Sequence, residues 1–164
     1  MVAEKSARPL AVIDLDGVVA DVRHRLRFVR GPKKNWDAFF DAAAEDPVLS
    51  EGRAVVDRLA GDHEIVYLTG RPERTREATE DWLARHGLPR GRVMMRREGD
   101  RRPARMVKPR LLSSLARGRT VAVVVDDDEA VCAAYEQDGW PVLRADWMPA
   151  GPELHDAQER SGRT

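Results

Sequence analysis

Short aliphatic runs punctuate this chain, and the stretches between them repeat their apolar positions at helical spacing. Five runs predict strands: Leu10–Asp14 (LAVID), Glu64–Thr69 (EIVYLT), Arg92–Met95 (RVMM), Thr120–Asp126 (TVAVVVD) and Pro141–Arg144 (PVLR). The first, second and fourth are almost unbroken rows of aliphatic or β-branched residues, as strands need when both faces of a parallel sheet are covered. Helices are predicted between them. Glu51–Ala60 places Val55, Val56 and Leu59 on one face, with Ser50 as its N-cap. Glu73–His86 follows Pro72, buries Ala78, Trp82 and Leu83, and stops at Gly87. Met106–Leu115, Glu129–Gln137 and an amphipathic Asn35–Ala44 complete the set. Strand alternating with helix predicts an α/β fold with a doubly wound, mainly parallel, Rossmann-like sheet. In such folds the reactive groups gather beyond the carboxyl ends of the strands. One domain over 1–148 is expected, with 149–164, a polar stretch rich in Pro and Gly, as a mobile tail.

Composition narrows the class. The 164 residues suit one domain, and 42% hydrophobic with 34% charged is an ordinary soluble mixture. No apolar run approaches the roughly 18 residues of a membrane span, and Leu10–Ala20 is broken by Asp14 and Asp16, so no secretory signal core is expected. The single cysteine, Cys132, excludes an internal disulfide and suggests a cytoplasmic location. Net charge is zero, but its distribution is uneven. Six basic residues and no acid lie between Arg23 and Lys34, and nine basic residues face only Glu98 and Asp100 between Arg90 and Arg110. Such runs are either solvated faces or contacts for a polyanion.

Four motifs sit at predicted element boundaries. Asp14-Leu15-Asp16-Gly17 ends the first strand; residues two apart point the same way there, and a pair of close carboxylates needs a cation or a proton between them. Gly17 permits a sharp turn. Thr69-Gly70-Arg71 ends the second strand and combines a hydroxyl, free backbone N–H groups and a guanidinium, a ready anion site or else a plain helix cap. Lys108 could neutralise a phosphoryl group as a point charge, or merely decorate the surface. Asp126-Asp127-Asp128 ends the most apolar strand; hard-cation ligands and helix-capping residues are both available there.

Taken in order, Asp-x-Asp, Thr, Lys and Asp-Asp resemble the haloacid dehalogenase (HAD)-like phosphohydrolase superfamily over Leu10 to Arg144. The stretches ADVRHRL, KKNWDAFFDAAAEDPV, YLTGRPE, TEDWLARHG, MMRREGDRRP and VVDDDEAV are similar to the 3′-phosphatase domain of phage-type polynucleotide kinase/phosphatases. Asp128 and Ala104 depart from the Arg and Asp often found at those places in that family. The resemblance implies that Asp14 is the nucleophile and Asp16 the acid and base. It implies Mg²⁺ held by the Asp14 side chain, the Asp16 backbone carbonyl, Asp126 and Asp127. It further implies a phosphoryl group bound by Thr69, Gly70 and Lys108, with Arg71 as a second phosphate contact. About fifty residues separate the first two motifs, room only for a minimal cap over an open pocket. The implied substrate is a phosphorylated nucleic-acid end or nucleotide, with no membrane partner. No phosphate loop of the type G-x-x-x-x-G-K-[ST] is present, so a separate kinase or ligase is the implied functional partner.

Other readings remain. A receiver domain would place its Lys after the acids, not before Asp126. A nucleotide or small-metabolite phosphatase would keep the chemistry and change the substrate. A non-catalytic nucleic-acid-binding module on the same fold would use the basic runs alone.

Overall fold

The computed structural model describes residues 7–149 and 151–164. Five strands form one sheet: β1 Leu10–Ile13, β2 Glu64–Pro72, β3 Arg92–Arg96, β4 Val121–Asp126 and β5 Val142–Arg144. Their order is β3-β2-β1-β4-β5 and every neighbouring pair is parallel. The order reverses at β1, so the β1–β4 junction is the crevice where such sheets bind ligands.

Strand alternation sorts the aliphatic residues onto two faces. Leu10, Val12, Val66, Leu68 and Val124 pack with Ala104 and Leu112 of α4 (Ala104–Leu115) and Val131 and Tyr135 of α5 (Glu129–Gln137). Ala11, Ile13, Ile65, Tyr67 and Val125 face Val56 of α2 (Ser50–Leu59) and Trp82 and Leu83 of α3 (Arg76–Arg85). Each Val, Leu or Ile among them, fully buried, contributes about 1.5–3 kcal/mol of transfer free energy. A third, smaller core joins Val22, Leu26, Val29, Phe39, Phe40, Leu49, Met148 and Leu154. It links the 3₁₀ turn Arg23–Val29, α1 (Trp36–Asp41) and the short α6 (Pro152–His155), and forms the minimal cap.

Element boundaries shift for local reasons. Ser50 is not the N-cap of α2; it is its first residue, with Leu49 at the cap and its own hydroxyl turned to Glu51. Asn35 does cap α1, accepting the Ala38 N–H at 3.0 Å, but the helix gives way to a 3₁₀ turn at Ala42–Glu45. β2 runs three residues past Thr69, to Pro72, because Pro72 pairs with Arg96 of β3. Within the expected mobile tail 149–164, the described residues 151–164 depart most from expectation. Instead of a mobile tail they pack onto the domain: Leu154 and Ala157 have no exposed surface, and Gln158, Glu159 and Thr164 are buried.

Candidate active site

Both central strands end in acids. The Asp14 N–H donates to the Val125 carbonyl at 2.9 Å, which ties the end of β1 to the end of β4. Leu15 then turns back, its carbonyl accepting from Val18, Val19 and Ala20. Gly17 makes that turn at φ +83°, and a Cβ there would overlap the Asp127 carboxylate. Asp14, Asp126 and Asp127 each offer one oxygen within 4.8 Å of the others. Lys108, deep in α4, sets its ammonium 3.0 Å from Asp14 Oδ2 and 2.8 Å from Asp126 Oδ2. Thr69 is fully buried within β2, the strand next to β1.

Charge counting divides the site in two. Three carboxylates facing one ammonium leave two negative charges uncompensated, the charge that one divalent cation supplies. The strain of that excess shows in the proton affinities. Burial, then Asp126, pushes Asp14 up to about 8 against the opposing pull of Lys108. Burial, Asp14 and Asp126 together push Asp127 well above the usual carboxylate range. Burial works against the Lys108 charge, but Asp126 and Asp14 outweigh it and keep the ammonium protonated. Asp14 Oδ2 and both Asp127 oxygens are buried without a properly directed hydrogen bond. Orphaned buried oxygens of this kind fit a hard cation with oxygen ligands.

The Asp16 carboxyl is turned out of this cluster. Its Oδ1 accepts from Arg25 at 2.9 Å and from the Arg71 Nε at 3.0 Å, and its Oδ2 accepts from the Thr164 hydroxyl at 2.6 Å. Asp46 bridges the same two arginines, at 2.8 Å to Arg25 and 3.2 Å to Arg71, and meets His24 at 2.7 Å. Two guanidiniums here balance two carboxylates. Burial raises the Asp16 proton affinity, but Arg71 and Arg25 overcome it and hold the group well below the usual range. Arg71, expected as a second phosphate contact, is engaged with Asp16, Asp46 and Thr79, which accept from its Nε, Nη2 and Nη1. Asp128, third of the acidic run, caps α5 through the Ala130 and Val131 amides. Burial and the neighbouring Glu159 raise it to about 6.

A family profile described as the phosphatase domain of polynucleotide kinase PNKP matches residues 9–147. The chain belongs to that family. No curated protein sequence matches this phosphatase domain. Among solved structures, it is similar to a chain of the Pnkp1/Rnl/Hen1 RNA repair complex, at 21% identity and a TM-score of 0.73. That alignment covers 90% of this domain and 45% of the other chain, so the domain spans under half of that relative. A haloacid dehalogenase-like hydrolase from Streptococcus pneumoniae aligns over 93% of this domain and 91% of its own length, at 10% identity and TM-score 0.60. A HAD family enzyme from Bacteroides thetaiotaomicron, in complex with magnesium and inorganic phosphate, aligns over 90% and 99% at 10% identity and TM-score 0.51. These likenesses agree on an α/β HAD-like fold, and the family makes the domain a phosphatase.

Three residues of the site escape a reading of motifs. Arg25 and Asp46 lie within stretches that carry the family resemblance but belong to none of the four motifs, and Thr164 lies in the polar end segment. Arg25 carried one faint signal. It falls beside Leu26 and upstream of Val29, so a helical turn that buries those two turns Arg25 inward, where its guanidinium stacks 4.4 Å over Phe39.

Proposed function

We propose that the domain removes a terminal 3′-phosphate from a polynucleotide, with magnesium as cofactor and an aspartyl-phosphate at Asp14 as intermediate. The observation that carries this reading is the buried acid cluster with a deficit of two positive charges beside one lysine. Asp14, Asp126, Asp127 and the Asp16 backbone carbonyl are the ligands proposed for Mg²⁺, which when bound supplies charge neutralisation and Lewis acidity. An oxygen of Asp14 forms the new bond to phosphorus as the bond to the departing 3′ oxygen breaks. Lys108, the Thr69 hydroxyl and the Gly70 N–H hold the phosphoryl oxygens, whose spread charge is the main quantity to stabilise.

Asp16 gives its proton to the leaving oxygen, and then, as carboxylate, takes one from the water that releases phosphate from Asp14. Arg25 and Arg71 favour the carboxylate, the form needed in the second half. An incoming phosphate dianion raises the proton affinity of Asp16 and so prepares the first half. Arg71 serves here by orienting Asp16.

The nucleic-acid end is supported by the basic runs flanking the site and by the family, and the partner by the repair complex of the similar chain. A separate kinase or ligase is the proposed functional partner, the ligase taking up the 3′-hydroxyl that this step exposes. Phosphate release from 3′-phosphorylated and 5′-phosphorylated oligonucleotides, mononucleotides and an aryl phosphate, with magnesium and with chelator, tests this. Preference for the 3′ end is expected. Preference for mononucleotides would assign a nucleotide phosphatase, and binding without release a non-catalytic module. Asp14→Asn should abolish release with the fold intact; more than trace turnover would remove Asp14 as nucleophile.

A further inference from the structure

Every reactive side chain of this phosphatase is shut away. Asp14 is 3% exposed, Asp16 2%, Lys108 1% and Thr69 0%. A phosphate on a polymer end cannot reach atoms so enclosed, and the segment 156–164 touches two of the residues that must meet it, Asp16 and Gly70.

That segment crosses the carboxyl ends of the three central strands. Glu159 meets Asp128 beyond β4 and pairs with Arg105 at 2.6 Å. Arg163 lays its guanidinium 5.0 Å over the Trp36 ring. Thr164 then reaches the far side. Its hydroxyl donates to Asp16 Oδ2, its carbonyl accepts from Arg96 at 3.4 Å, and its backbone lies so close to Gly70 that a Cβ there would overlap it. These contacts imitate what a substrate needs. The Asp16 oxygen left free by Arg25 and Arg71 must face the leaving oxygen, and it is spent on the Thr164 hydroxyl. Gly70 must approach the phosphoryl group, and Thr164 backbone abuts it. Arg163 occupies an aromatic face on which a base can stack.

We propose that residues 156–164 are a tethered strap that covers the catalytic cleft and competes with the phosphorylated end for it. The proposal rests on the phosphatase reading of the site and adds its regulation. The strap is also built to leave. Its hold is weak at Arg163, where burial and then the like charges of Arg101 and Arg74 outweigh the attraction of Asp37 and Glu98 and disfavour the guanidinium. A tethered segment works at an effective concentration of about millimolar, so few contacts suffice to keep it docked.

Gly162 offers a test that spares the catalytic residues. It turns at φ +57°, and a Cβ there would overlap the Arg101 backbone carbonyl, so Gly162→Val in the full chain cannot seat the strap. If the strap is docked nine-tenths of the time, removing it raises kcat/KM by about tenfold, chiefly through KM. The rise should be found with both the aryl phosphate and a 3′-phosphorylated oligonucleotide. Amide exchange gives a readout independent of turnover: the Gly70 and Arg71 amides should exchange about tenfold faster in Gly162→Val. In the Asp14→Asn chain, whose own strap is intact, bound oligonucleotide should speed exchange over 157–164. A folded Gly162→Val with unchanged or lower kcat/KM, or with Gly70 and Arg71 still protected, would overturn the proposal. So would slower exchange of 157–164 on oligonucleotide binding, which also decides the matter if Gly162→Val fails to fold. Should neither chain hydrolyse any ester, the phosphatase reading falls, while exchange still decides whether the strap covers the cleft.

Discussion

Burial alone would drive both Asp14 and Asp16 toward the neutral form, and only their neighbours separate them. Asp14 faces two acids and one lysine and holds its proton up to about 8, against 3.8 for an ordinary aspartate. The native chain thus binds more protons than the unfolded one through that window, and each rise in pH within it costs stability. Asp16, held low by its two arginines, runs the other way: its contribution is present above 3.8 and is lost only as pH falls below it. With chelator, Tm should therefore fall between about pH 5 and about pH 8, with magnesium flattening the decline. Asp14→Asn should remove the Asp14 share of it and leave that of Asp127, whose burial persists. A Tm that climbs over the same range in chelator would contradict an uncompensated acid cluster. Arg25 tests the other half of the site. Arg25→Met strands Asp16 and Asp46 opposite a single guanidinium, and breaking a buried pair in this way costs about 3–5 kcal/mol. Urea unfolding should show that loss, with Arg25→Lys recovering part of it; a loss below about 1 kcal/mol would mean that solvent reaches the pair.

At the scale of elements, legibility followed how local the cause was. β1 and β4 are aliphatic runs that no helix period fits, so their places were readable to within a residue, and so was the coincidence of acids with strand ends. β2 was not readable to its end, because nothing in Thr69-Gly70-Arg71-Pro72 signals that Pro72 finds a partner in β3; pairing is a property of two segments. Lys108 was legible only through its order among the motifs, since its burial depends on where α4 lies against β4. The 149–164 segment was misjudged because composition averages over it. Leu154 and Ala157 are few, yet each is wholly buried, and two anchors with a left-handed Gly162 are enough to seat it. The turn after β1 carries a prediction of its own. Gly17→Ala forces an L side chain to φ +83° and against Asp127, so it should cost more than about 1 kcal/mol. It should also weaken magnesium binding by displacing a proposed ligand. Calorimetric titration checks this; unchanged affinity would place Asp127 outside the coordination shell.

For the molecule as a whole, zero net charge conceals how the basic runs are spent. Arg23 pairs with Asp21, Arg30 with Glu153, Arg102 with Asp100 and Arg105 with Glu159, while Arg25, Arg96 and Lys108 are buried. Among the described residues no carboxylate lies within 4.0 Å of Arg27, Lys33, Lys34, Arg90, Arg92, Arg97, Arg101 or Arg110, and these are the cations left in the two runs to meet a polyanion. With about half of the two runs already paired or buried, short contacts near the reacting end suit this surface better than long tracking of a strand. Counterion release makes the difference measurable, because each phosphate neutralised on a single strand contributes about −0.7 to the slope of log affinity against log salt. Raising salt from about 50 to about 200 mM should therefore raise KM for a 3′-phosphorylated oligonucleotide, with a slope reflecting only a few phosphates. KM for an aryl phosphate should change far less, since that substrate reaches only Lys108 and the proposed metal. Substituting Lys33 and Lys34 together by Gln should lower the oligonucleotide slope and leave the aryl phosphate untouched. Equal salt dependence for both substrates would mean that the basic runs are solvated faces, and that recognition ends at the phosphoryl group itself.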